Sequence, residues 1–241
     1  MNEAQEITRI LFQGFQTSSI YLFYAFGYSA IAVFIYGCYV QVRKYRRGQP
    51  DAAWGEFLAR FGDMVKTMLT HRTIKRRDKA AGKAHAGIFF GFVLLFLGTA
   101  TITLEYDILE PLFGFKFWYG DFYLWFSLVL DIAGTAVIAG VLYMMYRRKW
   151  LKLPKLDYKR PDREPTDPDY DRSAYRREDW AFLWGFIIIL ITGFLLEASR
   201  LIWLMNYPTV WDYRWWSPMG ALIANALHVL GMGPEAAGHF R

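Results

Sequence analysis

Residues 84–104 read AHAGIFFGFVLLFLGTATITL, an unbroken stretch with no Asp, Glu, Lys or Arg. A hydrocarbon core about 30 Å thick needs roughly 20 helical residues, so this run is long enough to cross a bilayer. Three further runs have the same character, from Ser19 to Val42, Phe122 to Tyr146 and Trp180 to Leu204. Their ends carry basic residues (Arg43, Lys44, Arg46 and Arg47 after the first, Arg147, Arg148 and Lys149 after the third) and aromatics such as Trp118, Tyr119, Trp125 and Trp203. Both are residues that settle at the membrane–water interface. The sequence therefore predicts an all-α integral membrane protein with four transmembrane helices.

The composition agrees: 54% of the 241 residues are hydrophobic and 19% are aromatic. The mean hydropathy is only +0.12 because charge is gathered into a few blocks. Of 28 Lys and Arg residues, twelve lie in 43–83 and eleven in 147–178. Basic blocks beside apolar spans set orientation in a membrane and give no reason to invoke nucleic acid as a partner. By the positive-inside rule both blocks face the cytoplasm. The amino terminus then lies outside, as do the connection holding Glu105, Asp107 and Glu110 and the aromatic stretch Tyr207 to Trp216. The expected location is a bacterial or archaeal inner membrane, with the first span acting as an uncleaved signal anchor. The segment 155–178, KLDYKRPDREPTDPDYDRSAYRRE, has no apolar face and reads as a solvated connector or a docking surface.

Beyond the fourth span, Ser217-Pro218 opens an amphipathic piece, 219–230, too short to cross and expected to lie at the outer interface. Pro234-Glu235 then begins another helix with an N1 proline and an acidic first turn. The sequence stops within it at Arg241. The expectation is the start of a fifth helix, 234–241, whose remainder has been cut away or belongs to a separate polypeptide.

Cys38 is the one cysteine and lies in the first span, so any iron–sulfur cluster has to reside in a partner or another domain. Four histidines remain. His85 opens the second span at its cytoplasmic edge, and Gly82, Gly87, Gly91 and Gly98 surround it at near-helical spacing. Small residues on one stripe admit either a flat macrocycle, whose iron the imidazole ligates, or a neighbouring helix. A low-spin haem needs a second ligand at the same depth, for which Met144 and Met145 are weak candidates. His239 lies at the outer start of the fifth helix, where it could serve a second haem or a quinone pocket. His71 and His228 read as surface or interface residues. Ionisable groups within spans are costly. Asp131 in the third span and Glu197 and Arg200 at i and i+3 in the fourth fall in the outward half at similar depth. They are able to form a buried polar cluster, either a structural ion-pair network or a site where Arg200 anchors a haem propionate and Glu197 or Asp131 passes quinol protons.

The segments HAGIFFGFVLLFLGT (85–99), FYLWFSLVLDIAGTAVIAGVLYMMYRR (122–148), ITGFLLEASR (191–200) and GHFR (238–241) resemble the membrane domain of heterodisulfide-reductase-related iron–sulfur oxidoreductases, such as the electron-transfer-flavoprotein:menaquinone oxidoreductases. The resemblance covers about 84–241, and is similar more distantly to the gamma subunit of respiratory nitrate reductase. It implies a nitrate-reductase-gamma-like bundle forming a single membrane haem b domain over 1–241. It also implies exchange with menaquinone and a cytoplasmic iron–sulfur or flavoprotein partner. By position His85 matches the inner haem ligand and His239 the outer one, which makes both candidate ligands of haem iron. Leu95 stands where the nitrate reductase subunit has a further histidine, leaving the number of haems, one or two, open. The expected function is a haem b-containing, quinone-reactive domain passing electrons between menaquinone and the cytoplasmic partner. The rival is a haemless membrane anchor for a cytoplasmic redox enzyme. A transporter is disfavoured, since no paired Gly/Pro-broken spans appear.

Overall fold

A computed structural model describes residues 11–12, 16–48, 55–151, 153, 156–160, 163–167, 170–207 and 211–239. The described residues are helical, with one isolated antiparallel pairing, Lys159 with Asp171. They divide into two units, Leu11–Thr73 and the chain from Ile74 onward.

In the first unit α1 spans Thr17–Tyr45, and its apolar surface is exposed along its whole length. A helix solvated by lipid needs no protein core to cover it. The segment read from sequence as a basic connection contains an amphipathic helix, α2 (Phe57–Thr70). It stops at His71, which adopts the left-handed backbone conformation (φ 51°). His71, expected at a surface or interface, is instead buried, with its Nδ1 3.2 Å from the Leu69 carbonyl. A short helix, α3 (Arg72–Arg77), follows.

In the second unit Asp78 caps α4 (Lys79–Thr103), accepting from the Ala81 amide at 2.9 Å, which satisfies one orphan donor of the first turn. The rod does not end at Leu104. It continues through a π-helical turn, Leu104–Leu109, into α5 (Glu110–Phe113). The 35-residue rod is roughly 52 Å long at 1.5 Å per residue. The expectation that Glu105, Asp107 and Glu110 lie in a loop is thus corrected. The physical reason is Glu105: its buried carboxylate accepts the Phe117 and Trp118 amides, each at 2.7 Å, and so satisfies the backbone of the return segment. Gly114 and Gly120, at φ 65° and 60°, bound that segment in conformations that suit glycine.

Helix α6 (Gly120–Lys149) runs back against α4. Small residues bring the two backbones together. A Cβ on Gly91 would lie 2.5 Å from Val137 Cγ2 and 2.7 Å from the Ala133 carbonyl, and one on Gly140 would lie 2.6 Å from Ile88 Cγ1 and 3.0 Å from the Ala84 carbonyl. Such close approach is how helices associate where lipid removes the hydrophobic drive. At the basic end the buried Arg147 guanidinium pairs with Asp78, tying α6 to the α4 cap; this pairing and the Ala81 amide hold the Asp78 carboxyl below the usual carboxylate range.

The basic connector reaches α7 (Arg176–Trp203) four residues earlier than its apolar run predicts, at Arg176 rather than Trp180. It is more than a solvated tether. Tyr158 donates to Asp179 at 3.0 Å, Arg148 donates to both at 3.1 Å, and the Arg148 and Arg176 guanidiniums lie over the Tyr158 ring. Burial, followed by the neighbouring Asp179 carboxylate, pushes the Tyr158 phenol up. After α7 come α8 (Pro218–Val229), close to the short helix expected at 219–230, and α9 (Pro234–His239). Ala221 and Ala224 of α8 and Ala237 of α9 pack with Ala198, Leu201, Ile202 and Leu204 in one buried cluster. Four helices, Thr17–Tyr45, Lys79–Phe113, Gly120–Lys149 and Ser173–Asn206, are long and apolar enough to cross a membrane.

Candidate functional site

Asp131, Glu197 and Arg200, the three ionisable residues expected to form a cluster, come together where α6, α7 and α8 converge. Tyr123, Ser127 and Asp131 stand at i, i+4 and i+8 on α6, spacing that lines them along one face. Asp131 is buried at 7% exposure. Its carboxylate accepts the Met219 amide at 2.9 Å and the Gly220 amide at 3.0 Å, in the first turn of α8. A carboxylate at a helix N-terminus is favoured both by these donors and by the helix dipole.

On α7, Glu197 accepts from Arg200 Nε at 3.0 Å and from its Nη2 at 2.6 Å, a two-pronged ion pair one helical turn in length. Tyr123 closes over it, with its ring centroid 5.8 Å from the Arg200 guanidinium carbon. Ser217 Oγ donates to Glu197 Oε1 at 3.2 Å and lies 2.7 Å from Ser127 Oγ. Glu197 is therefore linked to α6 through two hydroxyls, and Asp131 is held two residues further along α8. Gly220 permits this geometry: a Cβ there would stand 2.9 Å from Glu197 Cγ.

Sequence reasoning found Asp131, Glu197 and Arg200 but missed Tyr123, Ser127, Ser217 and Gly220. The four-residue spacing of Tyr123, Ser127 and Asp131 was the available signal. No local pattern pointed to Ser217, which reaches Glu197 from outside the spans.

The histidines lie apart. His85 is half-buried near the basic end of α4, with its Nδ1 shielded from solvent. Its neighbour Ala84 faces Gly140, and Asp131 lies nine residues along α6 from there, about 14 Å by helical rise. The glycine stripe beside His85 is not an open bed. Gly91 and Gly98 close onto Val137, Ala133 and Leu130 of α6, and Gly82 closes onto Lys75. A Cβ on Gly87, two residues from His85, would meet nothing closer than the Ala136 carbonyl, at 3.8 Å. Met145 is core, packed with Val137, Val141 and Ile187. Among the described residues no group of three His, Cys, Asp or Glu side chains converges as a metal site would require. His85 is an imidazole that would be able to hold haem iron, and a macrocycle lying along α4 would have to displace the contacts of Gly91 and Gly98 with α6.

His239 closes α9, which docks on the C-terminal end of α7 through Ala237 and the approach of Gly238 to Trp203. The His239 backbone therefore belongs to the end opposite His85. Phe240 and Arg241, the last of the GHFR segment, lie outside the described residues. His228 is exposed, with its Nδ1 3.2 Å from the Met232 carbonyl.

Over 125 residues, 52% of its length, the chain is 29% identical to the EtfAB:quinone oxidoreductase of Syntrophomonas wolfei subsp. wolfei. The chain spans only 15% of that protein. No family model matches the chain, and no solved structure matches it.

Proposed function

We propose that this chain is the membrane domain of a quinone oxidoreductase. It lies in a bacterial or archaeal inner membrane with its basic loops in the cytoplasm. In this reading it moves electrons between menaquinone and a cytoplasmic iron–sulfur or flavoprotein partner. The observation that carries the proposal is the cluster in which Asp131, Glu197 and Arg200 of the apolar helices α6 and α7 are joined by Ser217, in a chain that is similar to a quinone oxidoreductase. Oxidation of a quinol to a quinone releases two electrons and two protons, and the protons need acceptors inside the membrane. Glu197 is one, supplied through the Ser217 hydroxyl, which gives its proton to the carboxylate and takes one from the donor beyond. Asp131 is the other. Arg200 balances the charge of Glu197 when that residue is ionised and so lowers the cost of its carboxylate there.

Haem b ligation by His85, supported by its place at the basic end of α4 and by the resemblance, and by His239 at the other end, belongs to this reading. When bound, haem supplies one-electron transfer. One observation favours the second reading, a haemless anchor domain: Gly91 and Gly98, further along the stripe from His85, already pack against α6.

The experiment is menaquinol oxidation by the intact enzyme in proteoliposomes. Glu197→Gln keeps the side-chain shape and the contact with Ser217 but removes the proton acceptor. The expected result is a loss of about 100-fold, within the range for removing a general base, with unchanged membrane insertion. An unaltered rate would reduce the cluster to a helix-joining network.

A further inference from the structure

We propose that α2 is an in-plane membrane helix that seats its apolar face in the headgroup boundary of an anionic leaflet on the basic side of the bilayer. Phe57, Leu58, Phe61, Met64, Met68 and Leu69 recur at the i, i+1, i+4, i+7, i+11 and i+12 positions of one helix, which places them on a single stripe. All six are exposed, Leu58 at 81% and Met64 at 55%. The opposite face carries Glu56, Arg60, Asp63, Lys66 and Thr67, with Arg60 Nε donating to Glu56 at 3.2 Å.

Topology and charge together select the occupant. Helices α1 and α4 are both long enough to cross. The segment joining two crossing helices must begin and end at the same membrane surface. An apolar stripe tethered at that surface by both ends has the acyl boundary within reach, and an interfacial helix sinks its apolar face about 5–10 Å there. The charges of α2 itself balance, two acidic against two basic residues with Glu56 included. The flanks do not. Arg43, Lys44, Arg46 and Arg47 precede the helix, and Arg72, Lys75, Arg76, Arg77, Lys79 and Lys83 follow it. Basic clusters next to a membrane are drawn to anionic headgroups. The neutral amphipathic helix inserts while its flanks hold the lipid charge. This inference needs only the crossing helices and stands apart from the redox reading.

The test uses the full chain with Cys38→Ser and single nitroxide-labelled cysteines. Leu58, Phe61 and Met64 sample the apolar face, and Arg60, Asp63 and Thr67 sample the polar face. The chain is reconstituted in vesicles of phosphatidylcholine with or without phosphatidylglycerol. Collision with oxygen reports lipid and collision with a water-soluble nickel complex reports solvent. The expected result is a several-fold higher oxygen-to-nickel ratio on the apolar face than on the polar face when phosphatidylglycerol is present, and a smaller contrast without it or at high salt. Equal nickel access to both faces in the anionic vesicles overturns the proposal and leaves a protein partner as the occupant. A contrast that is the same in both vesicle types overturns the anionic-lipid part.

Discussion

The amide of Gly220 donates to Asp131 Oδ1 at 3.0 Å, so a carboxylate from the interior of α6 serves as the N-terminal cap of α8. A short helix is thereby fixed to one long and apolar enough to cross a membrane. The same carboxylate also holds the Met219 amide, and no other residue type could receive both donors as an anion without lengthening the reach.

Asp131→Ala leaves two amide donors at a buried helix terminus. The expected cost is about 2–3 kcal/mol, the desolvation penalty for unsatisfied groups plus the lost charge-assisted bonds. Asp131→Asn, which retains one acceptor, should cost less. Thermal unfolding of the detergent-solubilised chain measures both, and equal melting of the two variants would argue against the cap.

Gly91→Ala should weaken the α4–α6 pairing by roughly 1–3 kcal/mol, because the new methyl meets Val137 and the Ala133 carbonyl with no room to relax. Gly193→Ala provides the contrast, since nothing lies within 4 Å of a Cβ there. That change should leave stability unaltered or raise it by up to about 1 kcal/mol, the helix-propensity gain of Ala over Gly. Steric trapping or denaturant unfolding in mixed micelles distinguishes the pair.

The Asp78–Arg147 pair gives a pH dependence whose sign is fixed. The folded Asp78 carboxyl titrates below its ordinary value, so its contribution to stability is complete above the unfolded pKa near 4 and is lost as pH falls through the folded one. Wild type should exceed Asp78→Asn in melting temperature by a constant margin from pH 5 to 8. The margin should close on acidification below roughly pH 4. A gap that instead widened in acid would contradict the pairing.

His85→Ala in the complete enzyme separates the two readings of the basic end. If His85 ligates haem b, the variant loses the reduced-minus-oxidised haem band while the spans still insert. A wild-type band and haem content would assign the end of α4 to packing alone.

The spans were legible because lipid permits few charges over about 20 residues, and the sequence honours that in four places. The stretch after Leu104 was not. Three acidic residues normally announce water, yet Glu105 is accommodated inside the rod by two amides that belong to residues twelve and thirteen positions further on. The glycine stripe of α4 was visible as a stripe, but its partner was not. A flat cofactor and a close helix demand the same spacing, and the residues that Gly91 and Gly98 meet, Ala133, Val137 and Leu130, lie on α6, out of reach of any local pattern in α4. Asp131, Glu197 and Arg200 could be matched by depth alone. Ser217 could not, because nothing in its own neighbourhood marks it as the link between them.

The close seam between α4 and α6 bears on how the chain is made. These are consecutive apolar helices joined by the few residues 114–119; Glu105 fastens that return and Asp78 with Arg147 the opposite end, and the seam between them calls on no later segment. As translation proceeds, this hairpin is the earliest part of the second unit able to complete its own contacts. Helices α7 and α8 then arrive at a surface already formed. Defects in the seam should therefore act during insertion, as lost yield and early degradation, whereas defects at Glu197 or Ser217 should leave an inserted protein to be studied.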